Sequence, residues 1–157
     1  MVQPSDISIR AERFDSADAR RLITALDASL GELYPLEQRF GPNLKAEHLE
    51  GGRGRFFVAR DRERAIGCGA VRLIDSATAE AKRMYVAPGY RGKGIGARVL
   101  AAIEAAAEEL GARRLVLETG VYQEAAISLY RSAGFKQIDC WGEYAASSTS
   151  VCFEKII

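Results

Sequence analysis

The 157-residue chain carries 22 Lys and Arg against 21 Asp and Glu, a formal net charge of +1, and 48% hydrophobic residues. That balance excludes general nucleic-acid and membrane-surface binding, which need a basic excess, and the length suits one domain, residues 1–157, able to bury a real core. Cys68, Cys140 and Cys152 are odd in number and lack the paired Cys-x-x-Cys spacing of zinc sites; they read as free thiols of a reducing cytoplasm, and no metal is expected. No apolar run approaches the roughly 20 residues of a membrane span, and the N-terminal stretch has no signal-peptide pattern, so the expected location is cytoplasmic.

Ile7 to Arg10 alternates apolar and polar residues as a half-buried strand does. Asp15-Ser16-Ala17-Asp18 offers helix N-caps, and Leu22, Ile23, Leu26 and Leu30 give the helix an apolar face, with Gly31 as its expected stop. Leu33 to Gly41 is irregular, and a short helix is expected over Asn43 to Glu50, with His48 alone on it. Arg55 to Arg60 and Ala65 to Ile74 form a hairpin around the charged tip Asp61 to Arg64. Ala77 to Val86 is a further strand, ending in a Pro-Gly turn and a loop with three glycines. Ile95, Val99, Ile103, Ala106 and Leu110 then recur at helical spacing until Gly111. Arg113 to Thr119 is a strand, Glu124 to Ala133 a helix closed by Gly134, and Phe135 to Cys140 and Val151 to Ile157 are closing strands around a polar loop. Hairpins followed by β-α-β-α crossovers predict an α+β architecture with three layers (α/β/α): a mixed, mostly antiparallel central sheet of about seven strands, helices on both faces.

Cations at Arg91, Lys93 and Arg98 flank glycines that lead into a helix N-terminus, a combination that favours an anion. The dinucleotide fingerprint G-x-G-x-x-G is excluded, because the spacing is Gly92-x-Gly94-x-Gly96. The nucleoside-triphosphate loop G-x-x-x-x-G-K-[ST] is excluded because Gly94 follows Lys93. What remains is Arg91-x-x-Gly94-x-Gly96.

That pattern resembles the acyl-CoA pyrophosphate loop of the GNAT superfamily of N-acetyltransferases, Gln/Arg-x-x-Gly-x-Gly/Ala. Its setting between a strand ending in Val86 and a long helix adds to the resemblance, as does Tyr130-x-x-x-Gly134-Phe135, which looks like the superfamily's Tyr-x-x-x-Gly-Phe signature. The Ser150 to Lys155 run is similar to the closing strand of a set of small bacterial GNAT proteins.

The resemblance implies a GNAT-like fold and an acetyl-CoA-dependent N-acetyltransferase. The backbone N–H groups from Arg91 through Gly92, Lys93, Gly94, Ile95 and Gly96 to Ala97 would hold the pyrophosphate, and the strand edge Met84-Tyr85-Val86 the pantetheine arm. Gln123, one methylene longer than the superfamily's Asn, would contact the cofactor. Glu80, six residues before Val86, matches a glutamate base of the histone-modifying branch; Lys82 on the same face argues against it by favouring the carboxylate form. Glu118, ending the next strand, is the rival base, and the two stay open here. Tyr130 would serve the leaving sulfur as acid or hydrogen-bond donor, since a phenol stays protonated at neutral pH. The acceptor is expected near Glu32, Tyr34 and Glu37 on one side and Glu118 and Tyr144 on the other, a carboxylate-rich surround that suggests a cationic small-molecule amine. A protein acetyltransferase and a non-catalytic acyl-CoA sensor are the alternatives. No nucleic-acid or membrane partner is expected, and a homodimer is left open.

Overall fold

The computed structural model describes residues 3, 6–35 and 44–157. Strands β1 (Ile7–Glu12), β2 (Gly54–Asp61), β3 (Arg64–Leu73), β4 (Thr78–Val86), β5 (Arg114–Gly120), β6 (Lys136–Ile138) and β7 (Ser150–Ile156) form one sheet in the order β1-β2-β3-β4-β5-β7-β6. Among the described strands only the β4–β5 pair is parallel, because the crossover helix between them returns the chain to the same end of the sheet. The predicted mixed, mostly antiparallel sheet is therefore present.

Helix α1 (Ala17–Leu33) starts at Ser16, whose hydroxyl accepts the Ala19 N–H at 3.1 Å. It buries Ala19 and Leu22 against Phe56, Val58, Cys68 and Ala70 on one sheet face. Gly31 does not stop it. The helix runs on to Leu33 and ends where the extended Tyr34 donates its N–H to the Leu30 carbonyl. Helix α2 (Ile95–Glu109) covers the opposite face with Val99, Leu100 and Ile103, and α3 (Glu124–Ser132) joins it through Ile127, Leu129 and Tyr130. Each fully buried aliphatic side chain contributes about 1.5–3 kcal/mol relative to exposure. Gly111 (φ +93°) and Gly134 (φ +91°) take the left-handed conformation that closes α2 and α3. In place of the expected helix over Asn43 to Glu50, a single 3-10 turn, Ala46–Leu49, is held by the Lys45 N–H donating to His48 Nδ1; Asn43 itself lies outside the described residues.

The cysteine expectation needs correction. Cys140 and Cys152 form a disulfide, with Cα atoms 5.2 Å apart, and of the three only Cys68 is a free thiol. The β6–β7 register explains it: Ile138 sits opposite Cys152, so the chain leaving β6 brings Cys140 alongside. Spacing in sequence carries no trace of that pairing. Closing a loop of this size constrains the unfolded chain by about 3 kcal/mol. It also removes the support that three free thiols lent to a reducing compartment. No helix among the described residues is long and apolar enough to cross a membrane.

Candidate active site

β4 and β5 pair only from Thr78 to Ala81 against Arg114 to Leu117. Beyond the Ala81–Leu117 pair the strands part, and Lys82 and Glu118 are the first residues past the fork. β4 stays paired to β3 as far as Val86, so its Lys82–Val86 edge faces the opening with no strand against it among the described residues. A bulge lies in this stretch. Cys68 pairs with Tyr85 and Ala70 with Lys82, two steps on β3 against three on β4. Arg83 absorbs the extra residue at φ +57°, a left-handed conformation that costs a non-glycine residue about 1–3 kcal/mol. Its guanidinium bonds Asp27 of α1 at 2.8 Å, and its carbonyl accepts the Cys68 thiol at 3.3 Å, so both ends of the strained residue are held. Burial pushes that thiol up to about 12, which leaves it protonated and unreactive.

Glu80 is 1% exposed and directly opposite Arg72, whose Nε donates to Oε1 at 3.0 Å. Oε2 accepts from the Tyr144 hydroxyl at 3.2 Å, and the Lys82 ammonium stands 3.8 Å away. Lys82 donates to the same Tyr144 oxygen at 2.9 Å. Burial lowers the Lys82 pKa, with the Glu80 charge opposing, and burial raises that of Tyr144, with Glu80 adding to it. Glu80 is thus a carboxylate already occupied by a guanidinium and a phenol.

Glu118 differs. Its Oε2 accepts from the Ser150 hydroxyl at 2.7 Å, and no ion pair is found for it among the described residues. Burial pushes its pKa up to about 7, while the Ser150 bond and the Lys82 charge pull the other way. Tyr130 is buried with its ring against Phe135 and Phe153, at 6.0 and 6.1 Å between centroids. Burial, then the Glu118 charge, raises its pKa, so the hydroxyl keeps its proton. Tyr144 comes from the loop between β6 and β7, where Trp141 packs edge-on to it at 5.3 Å and the disulfide anchors both ends.

The glycine loop has the conformation that an anion site requires. Gly92 (φ +76°) and Gly94 (φ +78°) are left-handed, and Gly94 is the N-cap of α2. The Arg98 N–H is the first to bond back, to the Gly94 carbonyl at 3.2 Å, which leaves the N–H groups of Ile95, Gly96 and Ala97 without intrahelical acceptors. The Arg91 guanidinium donates to the Val86 carbonyl at 2.8 Å and lies 5.8 Å from the Tyr85 ring, while Lys93 is exposed. Arg98 turns away, donating to the Ile7 carbonyl at 3.0 Å.

At the far side, the Tyr34 hydroxyl accepts the Tyr122 N–H at 3.0 Å and the two rings pack at 5.4 Å. The end of α1 is thereby tied to the β5–α3 junction. Gln123 is turned inward as well, its Oε1 accepting the Gly120 N–H at 2.9 Å. Glu32 is exposed on the last turn of α1, and Glu37 lies outside the described residues. Gly120 makes the closure feasible, since a Cβ there would sit 1.9 Å from the Tyr34 oxygen. Gly120→Ala should destabilise the protein by about 1–3 kcal/mol, the ordinary cost of overpacking, read as a lower urea midpoint.

The model of the acetyltransferase (GNAT) family matches residues 21–135. The chain belongs to that family. An IAA acetyltransferase of Azospirillum brasilense is 41% identical over 136 residues, covering 86% of this chain and 88% of the relative. The uncharacterized N-acetyltransferase YsnE of Bacillus subtilis is 34% identical, covering 71% of this chain and 76% of its own. The fold superposes on a Klebsiella pneumoniae structure provisionally described as an acyl-CoA N-acyltransferase, with TM-score 0.80 and 33% identity over 96% of this chain and 97% of that one. A GNAT family acetyltransferase from Elizabethkingia anophelis, solved with acetyl-CoA bound, has TM-score 0.70 at 20% identity, covering 97% and 99%. This GNAT protein is an N-acetyltransferase with acetyl-CoA as co-substrate. Its loop fits that co-substrate: left-handed glycines expose the N–H groups that a pyrophosphate needs. Arg72, Ser150 and the bulge at Arg83 were not read from sequence as parts of the site. Of these only Arg72 had a legible signal, because a hairpin turning at Asp75 places it across from Glu80.

Proposed function

We propose that this N-acetyltransferase moves acetyl to the primary amine of a small molecule by direct attack in a ternary complex, with Glu118 as general base. The observation that carries the reading is Glu118 at the fork, in no ion pair among the described residues and raised to about 7. Against an alkyl ammonium near 10, that rise narrows an unfavourable proton transfer from about six to about three orders of magnitude. Acetyl-CoA supplies the activated acyl group, and the remaining work falls to the chain. The N–H groups of Gly92 to Ala97 would grip phosphate, with Arg91 and Lys93 adding charge. The open Met84–Val86 edge would pair with the pantetheine amides, and the Gln123 side-chain NH2 would remain available beside them. A backbone N–H at Met84 or Tyr85, re-aimed by the bulge, would polarise the thioester carbonyl. Tyr130 would donate toward the sulfur. Glu80 would position Tyr144 and Lys82 rather than take a proton. The Tyr34–Tyr122 closure supports a small acceptor over a protein surface.

The test is titration calorimetry with acetyl-CoA followed by thiol release across an amine panel. Binding without release on any amine would leave a sensor and overturn this reading. Tyr130→Phe should lower kcat about 10- to 100-fold while the acetyl-CoA Kd changes less than about 3-fold. An unchanged kcat would remove the donor role.

A further inference from the structure

We propose that the acceptor carries a carboxylate beside its amine, as an amino acid does, and that Lys82 receives it; this rests on the fork at Glu118 being the acceptor site. Lys82 and Glu118 are the first residues beyond the Ala81–Leu117 pair, one on each arm of the opening, so a molecule that brings its amine to Glu118 meets Lys82 across the gap. Among the described residues, the charges around Lys82 do not balance. Its side chain is 11% exposed, and its hydrogen-bond partner is the neutral Tyr144 hydroxyl at 2.9 Å. Glu80, the nearest carboxylate, is 3.8 Å away and already bound by Arg72 at 3.0 Å and Tyr144 at 3.2 Å. Arg83 next door has its own anion in Asp27. Among the described residues, two part-buried cations, Arg72 and Lys82, therefore share the Glu80 carboxylate, and Glu118 acts on Lys82 through its charge without an ion pair. A desolvated ammonium without a matched anion is unfavourable, and a ligand carboxylate offsets that cost.

The phosphates of the co-substrate do not explain the excess, because their loop begins beyond Val86, past the other end of the bulge. From sequence, Glu32, Glu37 and Glu118 suggested a cationic acceptor; Glu32 is exposed on the last turn of α1, Glu37 lies outside the described residues, and Glu118 at the fork is raised to about 7. Among the described residues the surplus charge at the fork is positive, and a zwitterion satisfies both arms.

The experiment measures thiol release by the full chain at saturating acetyl-CoA, using matched acceptors: amino acids and their primary amides, such as glycine with glycinamide and L-amino acids of graded side chain with theirs. The carboxylate members should exceed the amides in kcat/KM by about 10- to 100-fold, the range for a hydrogen bond to a charged group. Lys82→Met should bring that ratio near one, and Lys82→Arg should restore most of it. Acetyl-CoA binding reports whether the variants are folded, and if Lys82→Met is not, the wild-type ratio decides alone. Amides used as well as amino acids would overturn the carboxylate inference and leave the transferase reading standing. No release with any member would overturn the carboxylate inference, and if the wider amine panel also gave none despite acetyl-CoA binding, the transferase reading would fall with it.

Discussion

Glu118→Gln is expected to lower kcat about 100- to 1,000-fold, within the range for removing a positioned general base. The amide keeps the shape and can still accept from Ser150 Oγ, so the loss measures basicity rather than packing. The pH profile carries the stronger signature. A base must be deprotonated to act, and the folded carboxyl titrates at about 7, so wild-type kcat/KM should rise as pH climbs through about 7 and then level. In the Gln variant that limb should vanish, and the residual rate should keep rising toward the pKa of the amine itself, near 10. Glu80→Gln should keep the limb near 7. If the limb survives in Glu118→Gln and disappears in Glu80→Gln, the roles are reversed. The prediction separates two carboxylates facing one fork by what surrounds them. Among the described residues, one is gripped by a guanidinium and a phenol, the other by a serine hydroxyl.

The sheet and both helical layers were legible because local pattern and tertiary need agree. The Ile95–Leu110 stripe buries the face that its spacing predicts, and Gly111 closes the helix in the left-handed conformation that glycine allows. Glycine spacing was equally legible in the loop before α2, where Gly92 and Gly94 take the left-handed conformation. Gly31 misled, since a helix tolerates one glycine when neighbours such as Leu26 and Tyr34 are buried. The chemistry of the fork was harder to read. Glu80 and Glu118 were both visible as candidates, but the choice between them depends on cross-strand partners, Arg72 for one and Ser150 for the other. The bulge left no mark because its left-handed residue is Arg83 rather than Gly or Asn, and its strain is supported by α1 from a distance in sequence. The disulfide was missed for the same reason, being a product of β6–β7 register.

Glu80→Ala is expected to cost about 3 kcal/mol of stability, the lower end of the range for breaking a buried ion pair. The lower end applies because the Arg72 side chain is 20% exposed and can recover some water, whereas Lys82 at 11% has little. For a chain of this size that loss is a fall in Tm of about 6–12 °C. Glu80→Gln should cost less, about 1–3 kcal/mol, since an amide oxygen still accepts from Arg72 or Tyr144 and only the charge is lost. Urea unfolding checks both, with a lower midpoint at unchanged slope. A cost below about 1 kcal/mol for the Ala variant would mean that both cations reach solvent once released, and Glu80 would then not hold the network together. The triple change Glu80→Leu, Arg72→Leu, Lys82→Met gives the complementary result. Replacing a whole buried ionic group with apolar side chains of similar volume is often neutral or stabilising, so that variant should regain most of the stability. It should not regain turnover, because Tyr144 would have lost the partners that fix its hydroxyl at the fork. Recovered folding with absent activity would show that the cost of desolvating two cations and a carboxylate here is sustained for the geometry of the site.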